Sequence, residues 1–166
     1  MPDSAVHLSL SLFPDNGGIY LDTDILLLKT LDPLRRYELT LGRETSYGLG
    51  SGIIIAKPKA PFVCVWLNVF RDYNPFPWNW AYYVIVTPNR LAQVLPERLH
   101  IEENTLHKPS WQQAELLFRK RVDWSKSYAV HVWKRYGSVP KSPAELDALN
   151  TTLGEIMRYI YFTVQD

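Results

Sequence analysis

The sequence predicts an α/β fold, a mixed and mainly parallel sheet flanked by helices, in a single domain over residues 1–166. Three observations predict it. Ser51-Gly52-Ile53-Ile54-Ile55-Ala56 is a β-branched run of the buried-strand type. Phe62, Val65, Trp66, Val69 and Phe70 recur at helical spacing over about 60–73. Strand patterns and helix patterns then interleave along the chain, which is the signature of layered α/β domains.

In order, residues 2–13 alternate: Val6, Leu8, Leu10 and Leu12 against His7, Ser9 and Ser11. Strict alternation predicts a strand. Pro14-Asp15-Asn16-Gly17-Gly18 is a turn signal. Tyr20–Leu28 reads as the central strand, Leu31-Asp32-Pro33-Leu34 as a turn and Tyr37–Leu41 as a strand. Residues 43–50 are polar and glycine-rich and read as a loop near the site. Residues 81–95 read as two helical pieces split at Pro88, and Leu99–Glu102 as a short strand. Ser110 is placed to cap a helix over about 111–120, and Tyr128–Trp133 reads as a strand. Ser142-Pro143-Ala144-Glu145 is a capping box, and Thr152 with Glu155 repeats the pattern. Two last helices are expected at about 143–149 and 153–162.

Composition is that of an ordinary globular chain: 46% hydrophobic, 21% charged, net charge +1. Such a balance asks for neither a nucleic-acid partner nor an acidic one. Among four histidines and one cysteine, Cys64 excludes an internal disulfide and a cysteine-built zinc site, and it reads as a buried thiol. No run of 18 apolar residues and no signal peptide is present, so no membrane segment is expected in this chain.

Gly17-Gly18-Ile19-Tyr20-Leu21-Asp22-Thr23-Asp24-Ile25-Leu26-Leu27-Leu28 places two carboxylates inside an apolar run. In a strand, residues two apart leave the same face, so Asp22 and Asp24 point together, roughly 6.5–7 Å apart. Buried carboxylates are costly unless they are paired or hold a cation. Oxygen ligands suit a hard or borderline divalent ion, Mn²⁺ or Mg²⁺. Tyr20 shares their face. Gly17 and Gly18 allow a tight turn, and Gly18 allows a ligand to approach.

These residues, with Leu26-Leu27-Leu28-Lys29-Thr30-Leu31-Asp32-Pro33-Leu34 after them, resemble the DXD-containing sugar-binding region of nucleotide-sugar glycosyltransferases. The similar group includes α-1,4-galactosyl-, α-1,4-N-acetylglucosaminyl- and fungal initiating α-1,6-mannosyltransferases. The match is specific over about residues 15–35 and looser through Tyr128–Trp133 and Leu153–Ile156. The resemblance implies a GT-A fold (Rossmann-like), retention of anomeric configuration, a UDP-sugar donor, a glycan or glycolipid acceptor and a Golgi-lumen location. It implies that Asp24 binds the metal, that Asp22 holds donor ribose and metal, and that Gly17, Gly18 and Tyr20 border the donor. His131 falls where many such enzymes add a histidine to the metal. His100 and His107 have no such support and read as surface or structural residues. Trp78 and Trp80, in a proline- and aromatic-rich loop, are candidates to stack on an acceptor sugar.

The chain also departs from that family. Only 21 residues precede Asp22, whereas each βαβ unit takes about 30. The expectation is a domain truncated at its N-terminus, lacking nucleotide-binding strands. A helix carrying S-D-x-x-R is echoed poorly by Asp3-Ser4-Ala5-Val6-His7, which has no arginine. The alternative expectation is therefore a truncated, non-catalytic relative that binds carbohydrate or a partner. A hydrolase ranks last, because paired acid and base carboxylates flank a bond from two sides.

Overall fold

The computed structural model describes residues 3–70 and 81–163. Helix α1 (Asp3–Asn16) leads into β1 (Gly18–Leu21) and β2 (Ile25–Leu27). The hairpin β3 (Leu39–Thr45) and β4 (Gly48–Ala56) follows, then α2 (Pro61–Phe70). A π-turn (Tyr82–Val86) runs into α3 (Thr87–Val94), followed by β5 (His100–Glu102), α4 (Glu115–Arg119), β6 (Ala129–His131), α5 (Pro143–Ala148) and α6 (Thr152–Thr163).

The molecule is mixed α/β, with helices beside a mixed sheet ordered β1-β4-β3-β5. The expected parallel bias is not found. β1 and β3 both run antiparallel to β4, and among the described residues only β3 with β5 is parallel. Residues 43–50 explain the difference. They form the hairpin itself, with Ser46 and Tyr47 at its turn, rather than a loop. A connection that short can only join antiparallel strands. A second, two-stranded sheet pairs β2 with β6, antiparallel.

Residues 3–16 form a helix, not the strand that alternation predicts. Phe13, directly after Leu12, breaks the alternation and adds an apolar pair at i and i+3. Leu10 and Phe13 are such a pair, and both are buried in the core that α1 shares with α2. Gly17 ends the helix with φ +60°, and its N–H bonds to the Phe13 carbonyl at 2.9 Å. This is the left-handed glycine cap.

Residues 81–94 run on as one helical segment through Pro88. The Thr87 N–H reaches the Tyr82 carbonyl five residues back, and this wider turn sits just ahead of the proline. Ser110 makes no side-chain cap, and its helix splits into a 3-10 turn (Trp111–Gln113) and α4. Ser142 does cap α5, through the Glu145 N–H. At α6 the cap belongs to Thr151 rather than Thr152, whose hydroxyl instead ties Val122 N–H and the Lys120 carbonyl. Cys64 is half-buried rather than enclosed.

Among the described residues, three apolar clusters hold the fold. One lies between the larger sheet and helices α1 and α2, around Trp66, Phe62, Leu39 and Ile54. One joins β6 to α4 and α6, around Leu117, Val130, Leu153 and Ile156. The third, with Ile53, Ile55, Leu106 and Ala129, lies where the two sheets meet. The metal-ligand candidates sit beside that junction. Among the described residues, no helix is long and apolar enough to cross a membrane.

Candidate metal centre

β1 ends at Leu21, so Asp22 and Asp24 do not share a strand face as predicted. They are brought together by a turn. The Asp22 N–H continues the sheet to the Gly52 carbonyl at 2.8 Å, and the Ile25 N–H closes back onto the Asp22 carbonyl at 3.1 Å. The chain then leaves β4 and joins β6, and the Val132 N–H bonds to the Asp24 carbonyl at 2.9 Å. This handover between sheets brings the two carboxylates to His131.

The His131 Nε2 lies 3.0 Å from Asp24 Oδ1 and 3.9 Å from Asp22 Oδ2. Asp22 and Asp24 side chains are 31% and 22% exposed, against 5% for His131, so the carboxylates are open on one side. One ligand atom from each of the three falls within 4.8 Å of the others. The hydrogen bond from His131 holds the Asp24 carboxyl below its usual range, helped by the Lys134 backbone N–H and opposed by partial burial. Tyr20 donates its phenol to Asp22 Oδ1 at 2.6 Å. Burial first, and then the Asp22 and Asp24 charges, push that phenol well above its usual range, so it remains a donor.

Trp133 orients the histidine. Its ring stacks on His131 with centroids 3.7 Å apart. Its backbone takes φ +55°, a left-handed conformation unusual for a bulky residue. That bend swings the following backbone back to Asp24 and leaves Lys134 and Arg135 exposed beside the site. The pattern reading of 128–133 as one strand misses this feature, because β6 stops at His131.

Gly17 and Gly18 lie at the far end of β1 from Asp22. A side chain at Gly17 would strike Pro58 at 2.6 Å, while one at Gly18 would meet only Phe13, at 4.0 Å. Trp78 and Trp80 fall outside the described residues. His100 pairs with Glu102 at 2.7 Å and stacks on Tyr37.

Two residues that sequence reasoning did not select stand behind His131. His107 is completely buried, so it is no surface residue, and Glu44 is buried beside it on β3. Glu44 Oε1 accepts the Trp111 N–H at 2.9 Å. Its Oε2 lies 3.2 Å from His107 Nδ1, out of line for a hydrogen bond. Burial raises the Glu44 carboxyl, partly offset by the Trp111 N–H. Burial, reinforced by nearby positive charge at His131 and Lys108, pushes His107 down to about 3. Gly42 and Gly50 are partners in the β3–β4 ladder, and together they cradle the His107 ring. The spacing Gly48-Leu49-Gly50-Ser51-Gly52 was the available signal. Glycines at alternate positions of a strand leave one face bare for something to approach.

No protein-family model matches the chain. It is similar to Glucan organizing enzyme 1 of the fungus Cryptococcus neoformans var. grubii, with 32% identity over 135 residues, covering 72% of this chain and 36% of that protein. The chain thus spans little more than a third of the length of the curated relative it matches.

Proposed function

We propose that this chain is part of a metal-dependent, retaining glycosyltransferase of GT-A type, moving a sugar from a UDP-sugar to a hydroxyl of a glycan or glycolipid. The observation that carries the reading is the convergence of Asp22 and Asp24 on His131, 107 residues after Asp24, at 3.9 and 3.0 Å respectively. Two half-open carboxylates and one imidazole fit Mn²⁺ or Mg²⁺, and Asp22, Asp24 and His131 would hold it. When bound, such an ion supplies a Lewis acid for the charge that grows on a departing diphosphate.

The chain's own residues do the positioning. Tyr20 fixes one oxygen of Asp22, and Trp133 fixes the plane of His131. Lys134 and Arg135 are exposed on the segment whose backbone reaches Asp24, and their positive charge would favour an anionic ligand there. Helix α1 stands where the resembling family also has a helix, which supports the GT-A reading. The relative is named as an enzyme concerned with glucan, which supports a carbohydrate acceptor. A Golgi-lumen location belongs to the same reading.

Titration calorimetry of UDP with and without Mn²⁺ tests it. Metal-dependent binding is expected, weakened at least tenfold in Asp24→Asn, or about 1.4 kcal/mol. Equal affinity in the variant, or no binding with metal, overturns the reading in favour of a non-catalytic binding module.

A further inference from the structure

We infer that Glu44, His107 and His131 form a second cation site, buried behind the Asp22–Asp24 pair and suited to Zn²⁺. Three observations converge on it. First, Glu44 Oε2 and His107 Nδ1 stand 3.2 Å apart yet make no hydrogen bond, because they are out of line. Neighbouring ligands around a tetrahedral zinc, each at about 2.0–2.1 Å, are separated by about 3.3–3.4 Å and both aim at a third point. The spacing fits two ligands of one ion better than a donor and its acceptor.

Second, His107 Nδ1, His107 Nε2 and His131 Nδ1 are buried nitrogens without a hydrogen-bond partner. Buried polar atoms are rarely left so. His131 Nε2 serves Asp24, so the lone pair of the neutral ring is on the unpartnered Nδ1. Third, one ring nitrogen from each histidine and one Glu44 oxygen lie within 4.8 Å of one another. Two imidazoles and a carboxylate select zinc or a similar borderline ion rather than Mg²⁺ or Ca²⁺. Gly50 makes room for the His107 ring itself, because a side chain there would come within 2.7 Å of His107 Nε2, on the ring edge away from Glu44.

The buried ion takes the Nδ1 lone pair of His131 while its Nε2–H donates to Asp24; with both ions bound at once the ring would give up that proton and bridge them as an imidazolate. The buried ion fixes the plane of the ring that faces Asp22 and Asp24. This assignment rests on the buried cluster alone and not on the donor reading, so either can fail without the other.

The deciding experiment uses the double variant Asp22→Asn/Asp24→Asn, which disables the outer site and leaves the buried cluster intact. The metal-free variant is given one equivalent of Zn²⁺ and examined by X-ray absorption. Two imidazoles in the zinc shell are expected. One imidazole, or no retained zinc, overturns the inference. Co²⁺ titration then compares the double variant with Glu44→Gln and His107→Gln. The visible bands of low-coordinate Co²⁺ are expected in the double variant and weakened at least tenfold in the other two. Loss in the double variant with retention in folded His107→Gln is the reverse result and refutes the site. If His107→Gln does not fold, the absorption measurement on the double variant still decides.

Discussion

His107 is a buried base whose proton affinity is suppressed, and this has a measurable consequence. Unfolded, it takes a proton near 6.5; folded, it does so only at about 3. Between those values the unfolded chain binds more protons, so stability falls as pH drops through the window. One such group contributes up to about 1.4 kcal/mol per pH unit. Asp24, held low, adds to the loss as pH falls below its unfolded value of 3.8. Glu44 acts in the opposite sense, because its raised folded value means its contribution is lost as pH rises above 4.5. Urea unfolding of the metal-free protein in EDTA, followed from pH 3 to 7, is expected to show a steeper rise with pH in the wild type than in His107→Gln. Parallel curves count against the buried, neutral His107.

At the scale of elements, the junctions are where single changes cost most. Gly17 sits left-handed between α1 and β1, with Pro58 packed where a side chain would go. Gly17→Ala is expected to cost roughly 1–2 kcal/mol from the backbone alone, read from the denaturation midpoint. Gly50→Ala tests the hairpin that cradles His107. An added methyl there meets the ring within 3 Å, and overpacking of this kind costs about 1–3 kcal/mol. The variant is expected to shift the His107 ring resonances as well as the midpoint. An unchanged ring environment would show that the hairpin does not position it.

At the scale of the molecule, the described residues form two sheets meeting over one apolar cluster, with the ligand candidates beside the seam. Ile53 is fully buried in that cluster and pairs with Leu21. Ile53→Ala is expected to cost about 2–5 kcal/mol and to weaken metal binding, since Asp22 hangs from β4 and His131 from β6. Trp66 is the control. It is fully buried in the other large cluster, and its indole N–H donates to the Tyr83 carbonyl at 2.9 Å. Trp66→Ala is expected to cost a similar 3–5 kcal/mol while leaving metal affinity of the folded fraction unchanged. Equal effects of both variants on affinity would mean that the site depends on global stability rather than on the seam.

Local chemistry carried much of this protein in its sequence. Cap residues placed α5 and α6, the turn signal at 14–18 marked where the first element ends but not that it is a helix, and the β-branched run placed β4. Asp22 and Asp24 were candidates from the sequence because carboxylates in an apolar run need a partner, whereas His131 became one only through the family resemblance. Three things were decided only in the tertiary structure. Leu10 and Phe13 chose helix over strand through the neighbour they pack against, since a short apolar run serves either period. The direction of the sheet came from a two-residue hairpin turn hidden in a glycine-rich stretch. Glu44 and His107, 63 positions apart and each unremarkable alone, became a buried cluster with His131 because three glycine-bared strand positions let the rings in. Sequence patterns report what a residue needs from its own element. Which distant residue supplies it depends on how the elements pack.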